Sequence, residues 1–109
     1  MSGDPLGIVT VSYNVREHLR RCLAAVQGAL RAGDLTAEIV VVDNASSDGS
    51  AAMLRDEFPW VRLVANERNV GFAAASNQGL RSLGFPGPDG PRYAMLLNPD
   101  TIVRDRALA

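Results

Sequence analysis

The chain has 109 residues, 47% of them hydrophobic, and a formal net charge of −1, so it is long enough for one small globular domain with its own core. Its charges are scattered, which excludes the basic surface of a nucleic-acid-binding protein, and no apolar run approaches the roughly 20 residues of a membrane span. The first residues lack a positive region followed by an apolar core, so no secretory signal is expected and a cytoplasmic location is predicted.

The basic residues number 11, and all of them are arginines. Because lysine is absent, a Gly-Lys-Ser/Thr phosphate-binding loop and a Schiff-base enzyme are both excluded. The single cysteine, Cys22, falls within a helical pattern and is expected to be a buried apolar side chain. The single histidine, His18, is expected on the solvent face of the same helix, and it has no second histidine with which to share a metal.

The first half of the chain predicts strand, helix and strand. A run rich in β-branched residues, 7–13, indicates the first strand. Asn14 is predicted to be the N-cap of a helix, because Glu17 stands in capping-box position and apolar residues follow at helical spacing to about Gly33. The unbroken apolar run 39–42 predicts a second strand buried on both faces, as in a parallel sheet.

The second half continues this alternation. The pattern predicts a helix capped by Ser47 or Asp48 and ending near Glu57, a strand at 61–65, a helix at 71–84 with Phe72 on its apolar face, and a strand at 93–97. The order β-α-β-α-β-α-β indicates an α/β fold with an open, mostly parallel, Rossmann-like sheet of about four strands and helices on both faces. The last strand has little chain after it, so we expect part of a longer protein whose exposed edge favours self-association.

Asparagine and aspartate follow every predicted strand. The residues at these strand ends are Tyr13 and Asn14, Asp43 and Asn44, Asn66 to Asn69, and Asn98 and Asp100. Carboxyl ends of parallel strands form the edge at which open α/β sheets bind ligands. Asp43 can accept hydrogen bonds from a ribose or a base, and Asp100 suits a hard divalent cation. Each residue taken alone also fits a turn or a helix cap.

Four segments carry a family resemblance: IVTVSYN at 8–14, VVVDNASSDGS at 40–50, NERNVGFAAASNQG at 66–79, and LLNPDT at 96–101. In this order and spacing they resemble the successive motifs of glycosyltransferase family 2, especially its rhamnosyltransferase-like members. The resemblance covers nearly the whole chain, and four motifs in register are far more specific than any one of them. It implies the nucleotide-sugar-binding fold called GT-A, with the donor diphosphate held by Mg²⁺ or Mn²⁺.

The resemblance also implies roles for individual residues. It assigns nucleotide-sugar binding to Tyr13, Asn14, Asp43, Asn44, Asn69, Gly71, Asn77 and Asn98, and metal binding to Asp100. Tyr13 and Asn14 would lie beside the base or ribose, and Asp43 would accept hydrogen bonds from it. Asn98 departs from the family pattern, because it stands where the Asp-x-Asp metal motif has its first acid. The site would therefore hold its metal with one negative charge fewer.

The resemblance places the general base and most of the acceptor site after the metal motif, so no catalytic residue is assigned within this chain. The expected function is the donor-binding part of an inverting glycosyltransferase. Its donor would be of the dTDP-rhamnose or UDP-sugar type, and its acceptor a glycan or a lipid-linked molecule. The full protein would lie in the cytoplasm, at the inner membrane face. Two alternatives stay open: a nucleotide-sugar-binding module without transfer chemistry, and a structural or regulatory α/β domain of the receiver type.

Overall fold

The computed structural model describes residues 6–88 and 90–99. Within them the elements are β1 Leu6–Ser12, α1 Arg16–Ala32, β2 Glu38–Asp43, α2 Ser50–Glu57, β3 Arg62–Ala65, α3 Phe72–Leu83 and β4 Tyr93–Leu96. The four strands form one sheet in the order β3-β2-β1-β4, and all three neighbouring pairs are parallel. The predicted α/β fold with an open parallel sheet is therefore confirmed.

The centre of the sheet is the pair of β1 and β2. Their register runs without a break from Gly7 opposite Glu38 to Ser12 opposite Asp43. The apolar residues 39–42 of β2 are all buried, because a central strand covered on both faces has no solvent side. This register brings the carboxyl ends of β1 and β2 to the same height, where Asp43 is the last residue of its strand.

Helices cover both faces of the sheet, as predicted. On one face, α1 and α2 pack on side chains that include Ile8, Ile39 and Val41. On the other face, Ala75 and Leu83 of α3 share a second core with Val9, Val40 and Val42. The division follows from the period of two along a strand, which sends alternate side chains to opposite faces. Cys22 is buried in the first core and His18 is exposed on α1, as expected.

The prediction that Asn14 caps α1 is wrong. The N-cap of α1 is Val15, which makes no side-chain cap hydrogen bond. Asn14 has a φ of 52°, and its Oδ1 accepts a hydrogen bond of 2.8 Å from the Ser47 N–H. The backbone N–H of Arg16 donates instead to Asp48 Oδ2, at 2.9 Å. The Asp48 carboxylate, in the loop after β2, therefore accepts a hydrogen bond from the start of α1, the role that the local capping box predicted for Asn14.

Two helix predictions are corrected in detail. The N-cap of α2 is Gly49, one residue beyond the predicted Asp48, although Asp48 Oδ1 still accepts hydrogen bonds from the Ser50 N–H and hydroxyl. Phe72 was predicted on the apolar face of α3, but 64% of it is exposed. The buried face of α3 consists mainly of small residues, whereas Phe72, in its first turn, lines a cavity together with Val11 and Leu96.

None of the helices within the described ranges is long and apolar enough to cross a membrane. Within the same ranges, β4 is an edge strand with one neighbour, β1. The large side chains of Tyr93 and Leu96 on β4 are exposed. The cytoplasmic location and the self-association through this edge stay predictions.

Candidate functional site

The strand order defines where a ligand is expected. From β1 the chain proceeds to β2 and β3 on one side, whereas β4 pairs with the other side of β1. The crevice outside the carboxyl ends of strands at such a reversal is the general ligand site of open α/β sheets. Tyr13 and Asn14 directly follow β1, Asp43 ends β2, and Asn98 follows β4 by two residues. These four predicted site residues therefore lie along one edge of the sheet.

Asp43 is held by the loop that follows it. Only 3% of the residue is exposed, and its carboxylate accepts hydrogen bonds from the Ser46 N–H at 3.0 Å and the Ser46 hydroxyl at 2.6 Å. The Ser46 hydroxyl oxygen in turn accepts a hydrogen bond of 2.9 Å from the Asn14 N–H. A carboxylate has about four acceptor positions, so Asp43 retains capacity for a ligand donor after these two bonds. Ser46 thus links two predicted site residues.

Tyr13 and Asn14 form the end of the β1 turn. Asn14 adopts a positive φ, which asparagine tolerates better than most residues. Its side chain is bound to the loop after β2 through Ser47, and the neighbouring residue Tyr13 is 51% exposed. An exposed aromatic residue after β1 offers a stacking surface at the same sheet edge as the Asp43 carboxylate.

Asp48 joins the starts of α1 and α2 at this edge. Its Oδ2 accepts from the Arg16 N–H, and its Oδ1 accepts from the Ser50 N–H and, at 2.6 Å, the Ser50 hydroxyl. Burial raises the pKa of Asp48, but the hydrogen bonds from Ser50 and Arg16 outweigh burial and hold the pKa below its ordinary value. The ionised carboxylate therefore fixes the β1 and β2 turns relative to each other.

Asn44, predicted to bind the nucleotide sugar, has its side chain bonded within the protein. Only 2% of it is exposed. Its Nδ2 donates to the Gly71 carbonyl at 3.3 Å, and its Oδ1 accepts from the Val70 N–H at 3.4 Å and from Asn66 Nδ2 at 3.0 Å. Asn44 thereby binds the 66–71 loop, which leads into α3, to the end of β2.

Two residues outside the predicted set complete this connection. Asn66 and Gln78 exchange a pair of hydrogen bonds, with Asn66 Nδ2 donating to Gln78 Oε1 at 2.8 Å and Gln78 Nε2 donating to Asn66 Oδ1 at 3.1 Å. No local sequence signal marks this pair, because its members are 12 residues apart and belong to different elements. Ser46 was also missed, although a serine three residues after an aspartate is a known partner in turns.

A groove of about 580 Å³ lies beside α3. It is lined by Arg68, Asn69, Val70, Ala74, Asn77, Gln78 and Arg81. The predicted residues Asn69 and Asn77 meet here, and Gly71, also predicted, donates its N–H to Asn69 Oδ1 at 2.8 Å. The other predicted residues do not line this groove. Its lining carries no acid, and within the described ranges Arg68 and Arg81 have no ion pair, so the groove is positively charged.

A second cavity of about 120 Å³ lies at the reversal point between β1 and β4. It is lined by Val9, Val11, Phe72, Ser76, Leu96, Leu97 and Asn98. Asn98 is exposed, and it is the one predicted site residue in this cavity. The structure therefore places the predicted residues in three adjoining groups: the β1 and β2 turns, the groove beside α3, and the end of β4.

The predicted metal ligand Asp100 lies outside the described residues. Within 6–88 and 90–99, no three residues among histidine, cysteine, aspartate and glutamate are placed to hold a metal ion. Asn98 alone supplies one neutral oxygen, which is too few for a divalent cation. The described residues therefore do not form a metal site by themselves, and the predicted site depends on Asp100.

An open parallel sheet with a strand-order reversal is the architecture of the open α/β class, whose ligands bind outside the carboxyl ends of the strands. The sequence pattern of the family "Glycosyl transferase family 2" matches residues 7–108. Because the match covers almost all of the sequence, the chain belongs to glycosyl transferase family 2. This membership confirms the predicted family.

Relatives of known name agree with this family. An N-acetylglucosaminyl-diphospho-decaprenol L-rhamnosyltransferase of Mycobacterium tuberculosis is 29% identical over an alignment of 102 residues that covers 89% of this chain and 32% of the relative. The succinoglycan biosynthesis protein ExoO of Rhizobium meliloti is 34% identical over 99 residues, or 90% of this chain and 26% of that protein. The chain thus spans about a third or less of the length of these curated relatives.

Solved structures share the fold. Staphylococcus aureus TarS in complex with UDP superposes with a TM-score of 0.74 at 18% identity, covering 99% of this chain and 30% of that one. The mannosyltransferase PcManGT of Pyrobaculum calidifontis, in complex with GDP-Man and Mn²⁺, has a TM-score of 0.61 at 26% identity and covers 72% of this chain and 24% of its own. The similarity to TarS confirms the GT-A-type α/β fold.

Proposed function

We propose that the chain is the donor-binding part of an inverting glycosyltransferase. It would bind a nucleoside diphosphate sugar of the dTDP-rhamnose or UDP-sugar type, whose sugar passes to a glycan or lipid-linked acceptor. The observation that carries this proposal is the polar carboxyl edge of the sheet, where Ser46 links Asp43 to Asn14 and the neighbouring Tyr13 is exposed. Family membership and the names of the relatives support it.

In this proposal, side chains at the edge of the sheet bind the nucleoside. The Asp43 carboxylate accepts a hydrogen bond from the ribose or the base, because an ionised carboxylate accepts and cannot donate. The Tyr13 ring stacks on an apolar face of the ligand. The positively charged groove that contains Asn69 and Asn77 raises the local concentration of an anionic donor.

The proposed metal is Mg²⁺ or Mn²⁺, held by Asp100 with Asn98 beside it. Such an ion would stabilise the negative charge on the leaving diphosphate. The mannosyltransferase structure that contains Mn²⁺ supports divalent metal use in the family. The general base that takes the acceptor proton would lie elsewhere in a longer polypeptide, so we expect the 109-residue chain to bind the donor without transferring its sugar.

The test is calorimetric titration of the chain with UDP, dTDP and GDP, each with and without Mg²⁺ or Mn²⁺. We expect one base to be preferred, and Asp43→Ala to abolish this preference because the acceptor is lost. Asp56→Ala on α2 removes an exposed carboxylate away from the edge and serves as the charge-matched control. A folded chain that binds none of the three nucleotides contradicts the proposal.

The metal part of the proposal has a separate test. Asp100→Ala should abolish the increase in nucleotide affinity that Mg²⁺ or Mn²⁺ produces, while the affinity measured in a chelator stays unchanged. An Asp100→Ala chain that still responds to metal would exclude Asp100 as the ligand.

A further inference from the structure

We propose that Asn66 and Gln78 are positioning residues that hold the 66–71 loop in one orientation for donor binding. The inference rests on the proposed function, because the ligand that the loop would contact is the proposed nucleoside diphosphate sugar. Its basis is the chain of side-chain amides that runs from Asn44 through Asn66 to Gln78. We call these three side chains the amide relay.

The backbone determines the direction of the relay. The Val70 N–H can only donate, so the Asn44 atom that it contacts must be the oxygen, Oδ1. The Gly71 carbonyl can only accept, so the atom that faces it must be the nitrogen, Nδ2. If the Asn44 amide were reversed, its nitrogen would face the Val70 N–H, which is also a donor, and its oxygen would face the Gly71 carbonyl, which is also an acceptor. These two backbone contacts therefore exclude the alternative orientation of the Asn44 side chain.

The orientation passes from Asn44 to the other two amides. Because Asn44 Oδ1 accepts, the Asn66 atom at 3.0 Å from it must be the donor Nδ2. The Asn66 oxygen then faces Gln78, whose nitrogen must donate to it, at 3.1 Å. Three amides thus have one consistent arrangement, set by backbone groups of the loop that they hold.

The relay supplies most of the hydrogen bonds that tie the loop to the rest of the protein. Besides it, the Asn66 N–H donates to the Asp43 carbonyl at 2.9 Å and the Ala75 N–H of α3 donates to the Gly71 carbonyl at 3.2 Å, whereas the bond between Asn69 and Gly71 lies within the loop. Arg68 and Asn69 line the groove from this loop. A loop that is already ordered avoids the entropic cost of ordering on binding, which otherwise lowers affinity.

The binding test uses two variants without charge, Asn66→Leu and Gln78→Met. Each removes relay hydrogen bonds, and we expect each to weaken the affinity for the preferred nucleoside diphosphate sugar about tenfold, because the ligand must then order the loop. Gln27→Met, on α1 and outside the relay, is the matched control and should bind like the wild type. Thermal unfolding of every variant identifies loss of affinity that comes from loss of folded protein.

The orientation is tested without ligand by amide hydrogen exchange. Asn66→Asp keeps the shape of the side chain but places an acceptor opposite Asn44 Oδ1. We expect the Val70 N–H to exchange faster in Asn66→Asp than in the wild type, while the Val9 N–H in β1 does not change. If Asn66→Asp is unstable, Gln78→Met tests the same exchange.

The outcomes separate this inference from the proposed function. Unchanged affinity in both uncharged variants, or faster Val70 exchange with no loss of affinity, would overturn the positioning role. Unchanged Val70 exchange in Asn66→Asp and Gln78→Met would overturn the relay itself. If the wild type bound no nucleoside diphosphate sugar, the proposed function and the positioning role would both fail. The exchange experiment would still decide whether the relay orders the loop.

Discussion

Ser46 shows how much of the candidate site depends on one small side chain. Its hydroxyl donates to Asp43 and accepts from the Asn14 N–H, so it connects residues from two different strand ends. The sequence identified Asp43 and Asn14 as site residues from their positions after strands. It did not identify their connection, because the Asn14 to Ser46 bond joins residues 32 positions apart. Local patterns carry no information on such pairs.

Replacing Ser46 by alanine should lower the free energy of unfolding by about 1–2 kcal/mol, because the hydroxyl loses its hydrogen bond to the buried Asp43 carboxylate and the one from the Asn14 N–H. Urea denaturation measures this change. The control is Ser47→Ala, whose hydroxyl makes a single long contact of 3.4 Å with Asn14 and whose backbone bond remains. Equal losses in the two variants would contradict the role assigned to the Ser46 hydroxyl.

Asp48 predicts a pH dependence of stability. Its pKa lies below the ordinary value of 3.8 in the folded protein, so its contribution is complete above the unfolded pKa and is lost as the pH falls through the folded pKa. We expect wild type to be more stable than Asp48→Asn at neutral pH, and this advantage to decline as the pH falls below about 4.

Chemical denaturation at a series of pH values measures the difference between Asp48→Asn and wild type. Asp56→Asn, an exposed position on α2, controls for the change in net charge. A difference for Asp48→Asn that stays constant from neutral to acidic pH would exclude ionisation as its cause.

At the scale of elements, the strands and helices were predictable because their apolar runs and periodicities are local. The residues at which the helices begin were harder to predict. The capping box at Asn14 and Glu17 has the correct spacing, yet Asp48 from the next loop bonds the first helical N–H of α1. Phe72 has the correct helical spacing for a buried position, but it is largely exposed, and spacing alone does not show which positions of a helix are covered.

The approach of α3 to the sheet depends on Gly79. A Cβ at this position would lie 2.4 Å from Val9 Cγ1, so Gly79→Ala should destabilise the protein by about 1–3 kcal/mol through overpacking. Gly28 on α1 is the matched control, because a Cβ there would meet nothing within 4 Å. Gly28→Ala should instead stabilise the protein by about 0.5–1 kcal/mol, since alanine is the better helix former. Urea denaturation of both variants checks the opposite signs.

At the scale of the whole molecule, the described chain exposes large apolar side chains near the β4 edge. Phe72 and Leu96 both line the cavity at the reversal point and are largely exposed. The curated relatives are about three to four times longer than the region they share with this chain. The sequence indicated an incompletely covered last strand, but it could not show that Phe72 adds to the same surface.

This surface should promote association of the 109-residue chain at high concentration. The double variant Phe72→Ser and Leu96→Ser should reduce the association measured by sedimentation velocity, because it removes exposed apolar area. Leu35→Ser and Trp60→Ser, which also change exposed apolar residues, form the control. Association that falls equally in both double variants would locate the contact elsewhere.

The amide relay has a consequence for the durability of the protein. Asparagine and glutamine are thermolabile residues, and hydrolysis of a side-chain amide turns a donor nitrogen into an acceptor oxygen. At Asn44 the new oxygen would face the Gly71 carbonyl, and at Asn66 it would face Asn44 Oδ1. In both cases two acceptors would meet where the relay needs a donor and an acceptor. Deamidation at either position should therefore loosen the 66–71 loop while the sheet, whose core is aliphatic, remains intact.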